Sequence, residues 1–129
     1  MKVYFVASNG QNVCAEGGGG GAVVANRNVI GPWEKFERIQ LPDGKLAFMT
    51  DNGHYLCAEG GGGRELVANR REIGPWEQFR KLELPDDKIA LMTDNGHYVC
   101  AEGGGGRELV ANRREIGPWE QFYWGPAPA

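Results

Sequence analysis

Serine occurs once in this chain, at Ser8, histidine twice, at His54 and His97, and cysteine three times. With so few nucleophiles and bases, no third group stands at a spacing that would complete a hydrolytic triad. The cysteines form no CxxC pair and their number is odd, which argues against a zinc site or a disulfide framework. Long apolar runs are missing too. The longest stretch free of both glycine and proline is ten residues, too short for a membrane-spanning helix of roughly 20 residues. The 14 basic residues are outnumbered by 17 acidic ones, leaving a net charge of −3. A nucleic-acid binder would instead show a basic face. The apolar run after Lys2 stops at Ser8-Asn9, so no secretory leader is read there.

Glycine, by contrast, is abundant. Thirteen of the 21 glycines lie in three runs, at 17–21, 60–63 and 103–106. Each run follows Cys-Ala-Glu, ending at Glu16, Glu59 or Glu102, and precedes Val-Ala-Asn-Arg, ending at Arg27, Arg70 or Arg113. Ile-Gly-Pro-Trp-Glu comes next, with Trp33, Trp76 and Trp119. The step is always 43 residues, so 129 residues make three copies. Copies two and three agree at 32 of 35 positions between Lys45–Phe79 and Lys88–Phe122, and their differences exchange apolar residues only. Copy one agrees with copy two at 21 of 35, departing at Gln11-Asn12, Gly21-Ala22 and Asn28-Val29.

Each copy reads as four short strands. In the second they are expected at 45–50, 54–59, 65–69 and 76–84. Asp51-Asn52-Gly53 predicts a type I′ hairpin turn, Gly74-Pro75 marks entry to the fourth strand, and Pro85-Asp86-Asp87 closes the unit. Twelve strands in three such copies predict an all-β chain with the β-trefoil fold. A propeller of similar repeat length needs at least four blades, and a solenoid needs polar end caps. One domain is expected over residues 1–124, with repeats at about 2–44, 45–87 and 88–124. The Pro-Ala ending at 125–129 has the composition of a stiff linker.

Side-chain alternation places Leu56, Ala58, Leu66 and Ala68 in the core, with Tyr55, Cys57, Glu59, Val67 and Asn69 on the other face. Trp76 and Phe79 are three apart, so one strand cannot turn both inward. Phe79 is expected in the core and Trp76 at the surface. Two uses of the glycine runs stay open: backbone geometry at a wide hairpin, or room for a ligand to approach the main chain. No Lys-Ser/Thr follows them, so they are not a phosphate loop. One carboxylate per Asp-Asn-Gly turn is too few for calcium. No metal or cofactor is expected. Equivalent carboxylates in equivalent surroundings also do not make the unlike pair that glycoside hydrolysis requires, so an enzyme is not expected.

What recurs is glutamate, glycine, Asn-Arg and tryptophan. An indole can stack on the apolar face of a sugar ring while carboxylate and amide groups bind its hydroxyls, the usual division of labour in a concave site. The competing reading makes tryptophan a core residue and Glu-Arg a surface ion pair worth under about 1 kcal/mol.

The run Asp51 to Glu59, Val67-Ala68-Asn69-Arg70 and Ile73 to Phe79 resembles the fascin-like β-trefoil repeat, which in bacteria is attached to polysaccharide-degrading enzymes. The chain is also similar to trivalent carbohydrate-binding modules that recognise β-glucans. This resemblance implies one glycan site per repeat around Trp33, Trp76 and Trp119 with Glu16, Glu59 and Glu102. Glu34, Glu77 and Glu120 are the reserve acids. Asn26, Asn69 and Asn112, Arg27, Arg70 and Arg113, and Tyr55 and Tyr98 would complete the sites, and copy one lacks the tyrosine. It further implies a monomeric, lectin-like module outside the cell, tethered to a glycoside hydrolase, with neither nucleic acid nor membrane as partner. The same family contains actin-bundling fascin, which supplies the alternative of an actin-binding protein. The net charge of −3 suits an acidic filament poorly.

Overall fold

The computed structural model describes residues 1–128. Twelve strands follow in order: β1 (Lys2–Val6), β2 (Asn12–Ala15), β3 (Val23–Arg27), β4 (Phe36–Gln40), β5 (Leu46–Met49), β6 (Tyr55–Ala58), β7 (Leu66–Arg70), β8 (Arg80–Glu83), β9 (Lys88–Met92), β10 (Tyr98–Ala101), β11 (Leu109–Arg113) and β12 (Phe122–Pro126). All pairings are antiparallel. Strands β1, β4, β5, β8, β9 and β12 form a barrel, closed between β5 and β8 by a two-way bond of Leu46 and Phe79, 2.8 Å each way. Hairpins β2–β3, β6–β7 and β10–β11 cap it and touch one another through bridges such as Ala22 to Val67 and Glu65 to Val110. This is the β-trefoil expected from the 43-residue period.

Apolar residues at matching repeat positions meet inside the barrel. Phe36, Phe79 and Phe122 are at most 2 % exposed, and Val13, Leu56, Val99, Val23, Leu66 and Leu109 are likewise buried. Phe5 and Phe48 pack edge to face at 5.2 Å, the favoured arrangement of aromatic quadrupoles. The alternation read for the second and third strands therefore holds for Leu56, Ala58, Leu66 and Ala68.

Four expectations are corrected. The fourth strand begins at Arg80 rather than Trp76, because Pro75–Glu77 forms a turn of 3-10 helix. The Asp51-Asn52-Gly53 turn is not type I′. Of its three residues only Gly53 has positive φ, and the Gly53 N–H bonds to Thr50 O at 3.1 Å, the three-residue loop in which a final glycine takes the left-handed conformation. Cys57 sits on the outward face of its strand yet is fully buried, because the Pro-Trp-Glu turn covers it. Finally, Gly125 and Pro126 belong to β12, paired with Tyr4 and Val3, so the boundary expected at 124/125 falls inside a strand. Ala129 of the expected tail lies outside the described residues.

The glycine runs bind one repeat to the next. Asn52 donates its main-chain N–H to Gly18 O at 3.0 Å and its amide to Gly19 O at 2.9 Å. Asn95 does the same to Gly61 and Gly62, and Asn9 closes the ring on Gly104 O at 2.9 Å. At Gly62, φ is +126°, and a Cβ would lie 2.1 Å from the Asn95 side-chain oxygen. Gly62→Ala is thus expected to cost at least about 2 kcal/mol. At Gly60 a Cβ would meet only the Arg64 side chain, at 3.7 Å, and Gly60→Ala should cost about 1 kcal/mol. Urea unfolding of the two variants checks the order.

Candidate functional site

Every repeat builds the same group of side chains beside its hairpin, described here for the second. Pro75 starts the 3-10 turn with its φ already set. Glu77 completes it: its Oε1 accepts the Gly74 N–H at 2.6 Å, and its own N–H bonds Gly74 O at 3.2 Å. Glu34 and Glu120 repeat this bond on Gly31 and Gly117, and all three carboxylates are 5 % exposed. The reserve glutamates are therefore buried caps of the turn that carries the tryptophan.

Between the two carboxylates of the repeat lies Arg70. It donates to Glu59 Oε1 at 2.6 Å and to the Asn69 side-chain oxygen, and its Nε stands 4.0 Å from Glu77 Oε2. Arg27 and Arg113 hold Glu16 and Glu102 in the same way, at 2.6 and 2.7 Å. A planar guanidinium with several fixed donors is suited to joining a partly exposed acid to a buried one. So Glu59, Asn69 and Arg70, all predicted to share a site, do meet, and Arg70 is what joins them. Tyr55 and Tyr98 face Arg70 and Arg113 across their hairpins. In the first repeat Asn12 takes that place, buried, its amide directed at Arg27 O at 3.4 Å.

The indoles of Trp33, Trp76 and Trp119 are 41 to 42 % exposed, whereas Phe79 is 1 % exposed. The surface position expected for Trp76 is right, but strand alternation is not its cause, since Trp76 lies in the turn. Its Nε1 would be 3.2 Å from a Cβ on Gly61. Glycine is needed there for the indole to lie against the main chain, so the two uses of the glycine run coexist in one loop.

An open groove of about 470 Å³ runs along this face, lined by Arg70, Arg71, Glu72, Pro75, Trp76 and Glu77. Sequence reasoning missed Arg71 and Glu72, although they are the positions at which the first copy departs, to Asn28-Val29. It also missed Asp51 and Asp94. A carboxylate oxygen of each lies 3.8 or 3.7 Å from where a Cβ would stand on Gly18 or Gly61 of the preceding repeat. Position in the sequence gives no hint that one copy's turn borders another copy's tryptophan.

Cys14, Cys57 and Cys100 are free and buried. Burial, with hydrogen bonding to the neighbouring buried glutamate, pushes each thiol up to about 12. Among the described residues no group of three or more metal-ligating side chains is placed to hold a metal ion.

No protein-family model matches the chain, and no curated protein matches it. Solved structures do. A designed three-fold symmetric protein, ThreeFoil, superposes with TM-score 0.85 at 18 % identity, over 95 % of this chain and 96 % of that one. SeviL, in a structure with asialo-GM1 saccharide, gives 0.81 at 14 % identity, over 98 % of both chains. A GlcNAcα1-4Gal-releasing endo-β-galactosidase from Clostridium perfringens gives 0.79 at 13 % identity, covering 98 % of this chain but 32 % of that one. At such identities the likeness establishes the fold.

Two outcomes follow from this geometry. Trp76→Ala should leave the melting temperature within a few degrees of the parent, whereas Phe79→Ala should lose about 3–5 kcal/mol; thermal melts compare them. The thiols bind their protons more tightly folded than unfolded, so between about pH 9 and pH 12 the unfolded chain loses protons first. Stability should therefore fall as pH rises through that window. Denaturant titrations at stepped pH measure the fall, and Cys57→Ala should make it shallower.

Proposed function

We propose that this protein is a non-catalytic glycan-binding module with one site per repeat, and that its ligand is a β-glucan. The observation that carries this reading is the exposed indole held against a fixed polar set. Trp76 keeps 41 % of its surface in solvent although the chain has a complete core without it. Beside it, Glu59, Asn69 and Arg70 are locked together, so their remaining lone pairs and protons are aimed before a ligand arrives. A sugar ring needs both: an apolar platform for one face and pre-oriented hydrogen-bonding groups for its edge.

Two neighbours support a saccharide partner. SeviL's structure is with a saccharide, and in the endo-β-galactosidase the matching part is 32 % of a longer, sugar-cleaving chain. The second suits a module tethered to a glycoside hydrolase outside the cell. The β-glucan assignment rests on the fascin-like and carbohydrate-binding-module resemblance of the repeat. Glu16, Glu59 and Glu102 are the binding acids in this reading, and Glu34, Glu77 and Glu120 hold the turn.

Each site is shallow and weak alone. Three on one rigid monomer can raise avidity for a polymer by about 10²–10⁴ where they engage together. Calorimetry with a gluco-disaccharide should count about three sites in the parent and two in Trp76→Ala. Retardation in gels containing soluble β-glucan should fall far more than disaccharide affinity. A parent with no site, or pelleting with actin filaments and no retardation by glucan, would overturn the assignment.

A further inference from the structure

The three repeats differ most in what borders the tryptophan turn on its far side. There the fourth strand of one repeat meets the first turn of the next, leaving a cleft at the junction. Between repeats two and three the cleft is about 220 Å³ and is lined by Lys45, Gln78, Arg80 and Asp94 among others. Between repeats three and one it is about 240 Å³, and its walls are Ser8, Lys88, Pro118, Gln121 and Tyr123. The corresponding positions at the first junction are Lys35, Glu37 and Asp51, where the Glu37 carboxylate is already occupied by the amino terminus of Met1.

Among the described residues at these corresponding positions, the third junction alone has an aromatic ring. Tyr123 is 47 % exposed, and the Lys88 ammonium lies 5.0 Å from its ring centroid. The fold does not call for that ring at the surface: neighbouring Phe122 supplies the core and is 2 % exposed, and the equivalent positions are glutamate and arginine. The cleft starts at Pro118, the residue before Trp119, so the cleft and the tryptophan site share a rim. Trp119 and Tyr123 are four positions apart, a Cα span of at most about 14 Å, within the reach of a few linked sugar rings. Gln121, which follows the turn, lies between them in the chain and lines the cleft.

We propose that the third repeat's site continues into this cleft, with Tyr123 as a second stacking platform, and that it alone holds the longer stretch of a neutral oligosaccharide. The inference rests on the reading of the tryptophans as sugar platforms. Ser8 offers a hydroxyl where the other turns present Asp51 or Asp94, and Gln121 offers an amide, while the Lys88 ammonium lies against the Tyr123 ring, so the hydroxyls of a neutral sugar find hydrogen-bonding partners there. At the second junction a sugar would meet the unlike charges of Lys45, Arg80 and Asp94, with no ring to lie on.

The test compares a gluco-disaccharide with the matching tetrasaccharide by calorimetry. The parent should bind the disaccharide at about three similar sites. The tetrasaccharide should resolve one site tighter by about fivefold to tenfold, the worth of one added ring contact. Tyr123→Ala should abolish that tight class and leave disaccharide binding and the melting curve unchanged. Arg80→Tyr should create a second tight site. Three equal sites for the tetrasaccharide, or a tight class that survives Tyr123→Ala, overturns the cleft while leaving the tryptophan sites standing. A parent that binds neither sugar overturns the tryptophan reading and this inference with it.

Discussion

The main chain of each glycine run bonds once to its own repeat, as Gly62 N–H does to Glu59 O, and otherwise finds its partners in the next repeat. The Gly63 N–H reaches Ala111 O at 2.6 Å, Asn95 N–H reaches Gly61 O at 3.0 Å, and the same bonds recur around the ring, from Gly106 to Ala25 and from Asn9 to Gly104. An unpaired buried peptide group costs about as much as a lost hydrogen bond, so one 43-residue unit cannot satisfy itself. Closure after three copies, joining the last glycine run to the first turn, makes the repeat a domain. The absence of a side chain is what permits this contact, and it also lets each indole rest on the loop. Fold and candidate site therefore depend on the same few positions.

A second constraint lies under the tryptophan. Glu77 is buried, and a buried carboxylate is tolerable only when its oxygens are engaged. One takes the Gly74 N–H and the other faces Arg70. Cys57, protonated and buried beside Glu77, donates its thiol toward Glu59 Oε1 at 4.0 Å. Arg70 then carries the influence of this buried acid outward to Glu59 and Asn69, so the exposed polar groups inherit the rigidity of the buried one. The site is firm because its base is part of the structure.

Where the copies diverge, they diverge at surfaces. The first repeat replaces Tyr55 by Asn12, Arg64 by Gly21 and Glu72 by Val29, which is 73 % exposed. The third repeat ends in Tyr123-Trp124, and the Trp124 ring stacks on Phe5 at 6.1 Å with the Lys81 ammonium 4.3 Å from its centroid. Threefold symmetry thus governs the core and the glycine contacts, while each junction keeps its own chemistry.

The sequence by itself determined the period, and with it the trefoil, since three four-stranded units leave few ways to close a barrel. It also determined the core face of the hairpins, because apolar exchanges between copies mark positions that see only other apolar atoms. Glu59, Asn69, Arg70 and Trp76 could be named together from their recurrence. Tertiary structure alone decided the rest. Which glutamate is exposed depended on a 3-10 turn that local alternation does not reveal, since Gly-Pro entry permits strand and turn alike. That Asp94 and the third repeat's Tyr123 cleft belong to junctions depended on which copy's turn packs against which copy's strand. Those contacts link residues far apart in the chain, and no local pattern encodes a distance that only packing sets.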